Sequence, residues 1–326
     1  MPRHRSIGII GRGPLGRQIE TLLRTHVSLA PLVREITVVG RTANLDRRRG
    51  GTPTVESVMT DRSTDTVIIA TPPATHEALA HWALDAGKHV VIEKPAALSA
   101  SGAREIRVHA ALANRSVGIV RQHRDTIGWQ EARRKVCGGA LGAVHSALVE
   151  LPLWRSDVYF AHDEARARDQ IWNLAYHETD LVRWCLGPVE RVDLVAASRT
   201  DGPRKALTAS LIHASGCLTT ISFSTAAFPG RAPRISFNGS AGSLVMESDT
   251  AVLEACPDQS TVPPAGLYLH TPAHPAPEHS WLEPYAAQLR RFLLTFDSDA
   301  PPMVDASAID TISILSQISD LLAERA

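Results

Sequence analysis

The sequence predicts two joined architectures: a doubly wound parallel α/β sheet, then an α+β domain carrying a large, mostly antiparallel sheet. Three observations lead there. Short Val- and Ile-rich runs alternate with amphipathic helical stretches as far as Val120. Three glycines spaced GxGxxG follow the first of those runs. Beyond Val120 the rhythm changes to longer extended segments interrupted by few helices.

Residues 7–10, 36–39, 66–70, 90–92 and 117–120 are bounded by Gly, Pro or charge, the pattern of strands buried on both faces. Between them, Leu15, Ile19, Leu22 and Leu23 share one helical face, and Leu79, Ala80, Ala83 and Leu84 share another within 76–86. Strand, helix and strand repeated in this way form a doubly wound sheet. The second part is predicted to open with a helix at 129–136, a turn at 138–142 and an extended run at 144–151. One continuous helix is predicted over 171–186, then strands at 191–197, 206–213, 217–224 and 234–238. Segment 257–277, rich in Pro, Ala and His, reads as a loop. Helices are predicted again at 281–296 and 309–323. The domain boundary falls at residue 121, giving domains 1–121 and 122–326.

The 34 basic and 34 acidic residues balance, which argues against a nucleic-acid partner or a membrane-surface binder. Cys137, Cys185, Cys217 and Cys256 are widely spaced and form no CxxC pair, so neither a disulfide framework nor a metal centre is expected. No apolar run approaches the ~20 residues that span a bilayer, and Met1 leads almost directly into the run at 7–10, leaving no room for a signal sequence. A cytoplasmic protein with a small-molecule substrate is the expectation.

Gly11, Gly13 and Gly16 sit after a strand and at the mouth of a helix. Gly11 permits the tight turn, Gly13 brings backbone close to a pyrophosphate, and Gly16 lets the helix close on the sheet. The helix N-terminus then offers its unpaired N–H groups to phosphate, with Arg12, Pro14 and Leu15 completing the loop. This is the fingerprint of a Rossmann dinucleotide site. Such a site for NAD usually ends its second strand in Asp or Glu, which binds the ribose 2′-OH. Here Val39 is followed by Gly40, Arg41 and Thr42, with no carboxylate before Asp46. A guanidinium and a hydroxyl suit a 2′-phosphate, so NADP is expected over NAD. The alternative for Arg41 is a surface arginine in an Arg-rich chain.

Two further runs carry more information: Thr71-Pro72-Pro73-Ala74-Thr75-His76, and the stretch from Ala83 through Gly87-Lys88-His89 to Glu93-Lys94-Pro95. Together they closely resemble the Gfo/Idh/MocA family, that of glucose–fructose oxidoreductase and inositol dehydrogenase. The resemblance is strong over the first third of the chain. It implies that Thr71, Pro72, Pro73 and His76 form a loop along the dinucleotide. It implies that Glu93-Lys94-Pro95 is the motif whose lysine reaches the nicotinamide and the substrate hydroxyl, often with a cis peptide before the proline. Arg121-Gln122-His123 then matches a polar strand end lining the substrate pocket. The second domain would be an open-faced sheet whose outer surface makes a homodimer or homotetramer. From the residues themselves, Lys94 lies just past the carboxyl end of a buried strand, where open α/β sheets bind ligands. Partial desolvation there would make it a usable acid or base. The alternative is a structural lysine paired with Glu93.

The family pattern Asp-x-Gly-x-His-x-x-Asp corresponds here to Asn173-Leu174-Ala175-Tyr176-His177-Glu178-Thr179-Asp180. His177 and Asp180 are kept, while Asn173 replaces the first Asp and Ala175 the Gly. On one helix Asn173, His177 and Asp180 stand at i, i+4 and i+7 and share a face. His177 could exchange a proton with a carbonyl oxygen, and Asn173 could orient it without stabilising imidazolium as a carboxylate would. Tyr176 is a spare donor pointing about 100° away. The alternative is a His177 that merely packs between helix and sheet.

The expected function is an NADP(H)-dependent oxidoreductase moving hydride to or from a sugar, a cyclitol or a similar carbonyl/alcohol pair. Lys94 and His177 would handle the proton, with Asn173 positioning and Arg121, His123, Tyr176 and Asp180 near the substrate. Reduction of an imine or unusual carbonyl in a biosynthetic pathway, and a non-catalytic NADP-sensing protein, are the rival readings.

Overall fold

The structure, a computed structural model, describes residues 4–40, 53–161, 170–198, 202–248, 250–255, 281–296 and 306–324. The chain divides into two compact units: residues 1–122 with 280–312, and residues 123–279 with 313–326.

The first unit alternates strand and helix: β1 (Arg5–Ile10), α1 (Pro14–Thr25), β2 (Val33–Val39), α2 (Val55–Thr60), β3 (Thr66–Ile69), α3 (His76–Asp85), β4 (His89–Ile92), α4 (Ala100–Leu112) and β5 (Val117–Ile119). The described strands form one parallel sheet in the order β2-β1-β3-β4-β5. Every residue of β1 and β3 is buried, as a sheet covered on both faces requires. Pro14 opens α1, where its missing N–H costs nothing, and Ile19, Leu22 and Leu23 form the stripe laid on the sheet. The chain runs to opposite sides of β1 from its two neighbours, so the carboxyl ends of β1 and β3 form the switch point at which ligands of such sheets bind.

The second unit contains α5 (Ile127–Cys137), β6 (Val144–Pro152), α6 (Asp157–Ala161), α7 (Gln170–Leu174), α8 (Tyr176–Leu186), β7 (Val189–Ser198), β8 (Ala206–His213), β9 (Leu218–Ser224), β10 (Arg234–Gly239), β11 (Gly242–Glu247) and β12 (Thr250–Ala255). Its sheet has the order β12-β11-β10-β6-β9-β8-β7, antiparallel except where β6 meets β9. Burial alternates along β8: Leu207, Ala209, Leu211 and His213 face inward, and the residues between them are half-exposed. One face is therefore core and the other open.

Three sequence expectations change. The helix expected over 171–186 is two helices, because Ala175 leaves helical geometry (φ −112°, ψ 2°) and α8 begins anew at Tyr176. Strands β11 and β12 were not anticipated; their hairpin extends the sheet past β10, with Leu244 and Met246 buried. The boundary at residue 121 also gave the whole C-terminal stretch to the second domain, whereas 280–312 belongs with the first unit. There α9 (Leu282–Thr295) sets Tyr285, Ala286, Leu289, Phe292 and Leu293 into the cluster that holds Ile7, Ile9, Ile19 and Val91. Its apolar stripe covers sheet surface that would otherwise meet water. The last helix, α10 (Ala306–Ala323), is divided between the units. The loop expected at 257–277 lies outside the described residues.

Candidate active site

The glycine loop has the geometry its spacing implies. Gly11 adopts φ +130°, and a Cβ there would run into the Ala70 carbonyl at the end of β3. A Cβ on Gly16 would strike the Gly11 carbonyl, so only glycine lets α1 start this close to the turn. Gly13 caps α1 in extended backbone with open space where a side chain would stand, and no acid occupies the first helical turn. A pyrophosphate fits this cradle: exposed backbone, a helix N-terminus and no opposing charge. Arg12 is exposed, and its Cδ would lie 3.8 Å from a Cβ on Gly40, at the end of β2. Arg41 and Thr42 lie outside the described residues.

The loops after β3 and β4 are tied together by one side chain. His76, buried at the start of α3, sets Nε2 2.7 Å from the Thr71 carbonyl oxygen and Nδ1 2.8 Å from that of Pro95. With both nitrogens facing backbone carbonyls, His76 holds the two loops together. Thr71 accepts a hydrogen bond from the Thr75 hydroxyl at 2.7 Å, while Pro72 is exposed and Pro73 half-buried.

Lys94 follows β4 directly and is half-buried; the Lys94–Pro95 peptide is cis. Its neighbour Glu93 is 7 % exposed. Glu93 accepts the Tyr285 hydroxyl at 2.6 Å and the Lys94 backbone N–H at 3.2 Å. Burial, and then the facing carboxylate, push the Tyr285 phenol well above its ordinary pKa, so it stays a donor. Arg121 is likewise inside: its backbone N–H donates to Gln288 Oε1 at 2.8 Å, and Nη1 donates to Ser307 Oγ at 2.7 Å. It anchors the end of β5 to the C-terminal helices, a role the sequence reading had not given it.

In the second unit, His123 and His177 meet edge to face, with ring centroids 4.5 Å apart at 63°. Both are half-buried. Beside them Arg124 grips Asp180 through two bonds of 2.6 Å, Nε to Oδ2 and Nη2 to Oδ1, and its guanidinium lies 5.2 Å from the Trp184 ring. Adjacent residues 123 and 124 thus engage residues 177 and 180 of α8, and the ion pair fixes the histidine pair. Asp180 is 1 % exposed and its carboxylate is engaged by Arg124. Tyr176, expected as a spare donor near the substrate, is fully buried with its ring 5.9 Å from that of His177. Asn173, on α7, is separated from His177 by the break at Ala175. The i, i+4, i+7 face is therefore reduced to His177 and Asp180. Sequence reading missed Arg124, Tyr285 and Gln288, for which no local pattern exists.

Two family models match the chain. Residues 6–120 match the oxidoreductase family with an NAD-binding Rossmann fold, and residues 129–245 match the GFO/IDH/MocA C-terminal domain. Among curated relatives, inositol 2-dehydrogenase 4 of Saccharopolyspora erythraea is 28% identical over 242 residues, 67% of this chain and 66% of that protein. The chain spans about half to two thirds of the length of the inositol 2-dehydrogenases it matches. Among solved structures, the WlbA dehydrogenase from Bordetella pertussis, in complex with NADH and UDP-GlcNAcA, aligns with a TM-score of 0.79 at 17% identity, covering 99% of this chain and 98% of that one. Biliverdin reductase from Synechocystis, bound to biliverdin and NADP+, aligns with a TM-score of 0.69 at 16% identity, covering 97% and 98%. With both parts of the chain matched in sequence and the same fold over its full length, this protein belongs to the Gfo/Idh/MocA oxidoreductase family.

Proposed function

We propose that the protein is an NADP(H)-dependent oxidoreductase that moves hydride between nicotinamide and a sugar, a cyclitol or a sugar-like carbonyl/alcohol pair. The observation that carries this reading is the shared edge of the first unit's sheet. The open Gly11–Gly13 loop, the Thr71 loop and Lys94 all follow carboxyl ends of parallel strands, and His76 joins the last two. The relatives named inositol 2-dehydrogenase and the sugar-nucleotide complex of the WlbA dehydrogenase support a polyhydroxylated substrate.

Gly11, Gly13 and the start of α1 would hold the pyrophosphate, and Arg12 and Arg41 the 2′-phosphate. When bound, the nicotinamide supplies or accepts the hydride. Lys94 is assigned to bind the substrate oxygen and hold or move its proton. His177, with His123 edge-on to its ring, is assigned proton transfer as well, and Asn173 a positioning part. A homodimer or homotetramer through the open face of the second sheet, lined by Thr208, Ser210, Thr220 and Ser222, completes the proposal.

Equilibrium binding of NADPH and NADH, followed by turnover against a panel of cyclitols and sugars, tests it. NADPH should bind more tightly, and Arg12→Ala and Arg41→Ala should each weaken NADPH by about 1–3 kcal/mol while leaving NADH nearly untouched. NADH binding as well as NADPH overturns the cofactor assignment. Lys94→Met and His177→Asn should each lose ~10²–10⁴ in turnover with cofactor affinity retained. A second reading, a nicotinamide-binding sensor, draws on the amide at Asn173 where the family carries a carboxylate; tight binding with no turnover on any substrate class would select it.

A further inference from the structure

We propose that helices α3 and α4 carry a binding site for one divalent transition metal of the zinc class, built from Glu77, His81, Glu105 and His109. The two helices pack side by side, and each offers a Glu followed four residues later by a His, which places both side chains on one helical face. Glu77, His81 and Glu105 each present a ligand atom, all within 4.8 Å of one another. Across the groove the His81 and His109 rings stack with centroids 5.0 Å apart, and their Nδ1 atoms approach to 2.7 Å.

Two details point to a ligand set and not to a solvated polar face. First, His109 Nε2 lies 3.0 Å from Asp85 Oδ1. A carboxylate there accepts the Nε2 proton and leaves the Nδ1 lone pair directed at the cluster, the arrangement by which outer carboxylates fix metal-bound histidines. Second, Gly102 on α4 lies directly under the Glu77 carboxylate: a Cβ there would collide with it. The missing side chain is what allows that carboxylate to lie between the helices.

The chemistry selects the ion. Two carboxylates and the His81 imidazole, with the His109 imidazole next to His81 as the fourth donor to be drawn in, suit an N/O site for Zn²⁺ or a neighbouring divalent ion, whereas Mg²⁺ and Ca²⁺ prefer oxygen alone. Ligand bonds of about 2.0–2.2 Å hold tetrahedral neighbours roughly 3.3 Å apart, so the two Nδ1 atoms need only part by about half an ångström to admit the metal. A bound ion would join α3 to α4 and steady the first turn of α3, where His76 ties the Thr71 loop to Pro95. No metal was expected from the cysteine spacing, and these ligands come instead from two helices that only the fold brings together.

The test is calorimetric titration of the chelator-treated full-length protein with Zn²⁺ alone, beside thermal unfolding with Zn²⁺, Mg²⁺ or Ca²⁺. One equivalent of Zn²⁺ should bind and raise Tm, and Mg²⁺ and Ca²⁺ should do neither. Glu105→Gln, an exposed change that leaves the fold intact, and the double variant His81→Ala/His109→Ala should abolish the Tm rise. Asp85→Asn should weaken binding ~10–100-fold while keeping the stoichiometry. Absence of stoichiometric binding, or a Zn²⁺ isotherm unchanged in both the Glu105 variant and the double variant, overturns the site.

Discussion

Tyr285 donates its hydroxyl to Glu93 Oε1 at 2.6 Å across a sequence separation of 192 residues. Through this bond α9 braces the Glu93-Lys94-Pro95 turn from below. Glu93, which the sequence reading placed beside the cofactor, is a buried support under Lys94. A buried carboxylate persists only where donors surround it, and here the phenol and the Lys94 N–H serve as two of them.

Tyr285→Phe keeps the ring and removes that donor. Unfolding in urea should show a loss of about 1–3 kcal/mol, because Glu93 is left buried and under-bonded. Turnover should also fall while NADPH affinity holds, since the loss acts on the position of Lys94 and not on the glycine loop. An unchanged unfolding midpoint together with unchanged turnover would remove Tyr285 from this role.

The Arg124–Asp180 pair makes a sharper stability prediction. Asp180→Ala leaves a guanidinium 10 % exposed without its bidentate partner and should cost about 3–5 kcal/mol. The double change Arg124→Met/Asp180→Leu removes both charges and should recover a good part of that loss. A double variant as unstable as Asp180→Ala would show that packing on Trp184, and not charge, carries the effect.

At Gly11 the prediction concerns binding. Gly11→Ala meets both φ +130° and the Ala70 carbonyl, so the loop must shift. Dinucleotide affinity should fall at least ~10-fold, read by fluorescence titration. Gly13→Ala, with nothing within 4 Å of the new Cβ, should leave the free protein's stability nearly unchanged and act only when a ligand approaches. Equal effects of the two changes on unliganded stability would contradict this assignment of the glycines.

Local signals were the legible ones. The glycine spacing, the Val- and Ile-rich runs and the Glu93-Lys94-Pro95 motif each state their structure within a few residues, and the ten strands that were expected, β1 to β10, have ends within three residues of the expected ones. What could not be read was long-range or subtle. Nothing near Tyr285 announces that it faces Glu93, and the amphipathic stripe of α9 is the same whichever core it covers. The break at Ala175 was hidden because alanine favours a continuous helix, and the departure there is set by the fold around it. Arg124 reads as one more arginine until Asp180 is seen opposite it. The Glu77–His81 and Glu105–His109 spacings were visible, but their meeting depends on how α3 and α4 pack.

The last prediction concerns acid stability and His213, which is 1 % exposed at the end of β8. The Gly187 carbonyl oxygen, 3.1 Å from Nδ1, can only accept, so Nδ1 carries the proton; Nε2, 2.9 Å from Thr219 Oγ1, then accepts from the threonine hydroxyl. This neutral tautomer satisfies both partners. Burial lowers the His213 pKa below its ordinary value, the Gly187 hydrogen bond works the other way, and Arg183 adds a further push downward. Above about pH 6.5 the imidazole is neutral in the folded and unfolded chains alike, and its contribution to stability is constant. As the pH falls below that value the unfolded chain takes up the proton first, so stability drops until the folded-state pKa is passed. Urea unfolding between pH 8 and pH 5 should therefore show a downward slope in the wild type that is shallower in His213→Gln, which cannot titrate. If the two curves stay parallel across that range, the acid sensitivity belongs to other groups and His213 serves only as a packed hydrogen-bonding residue.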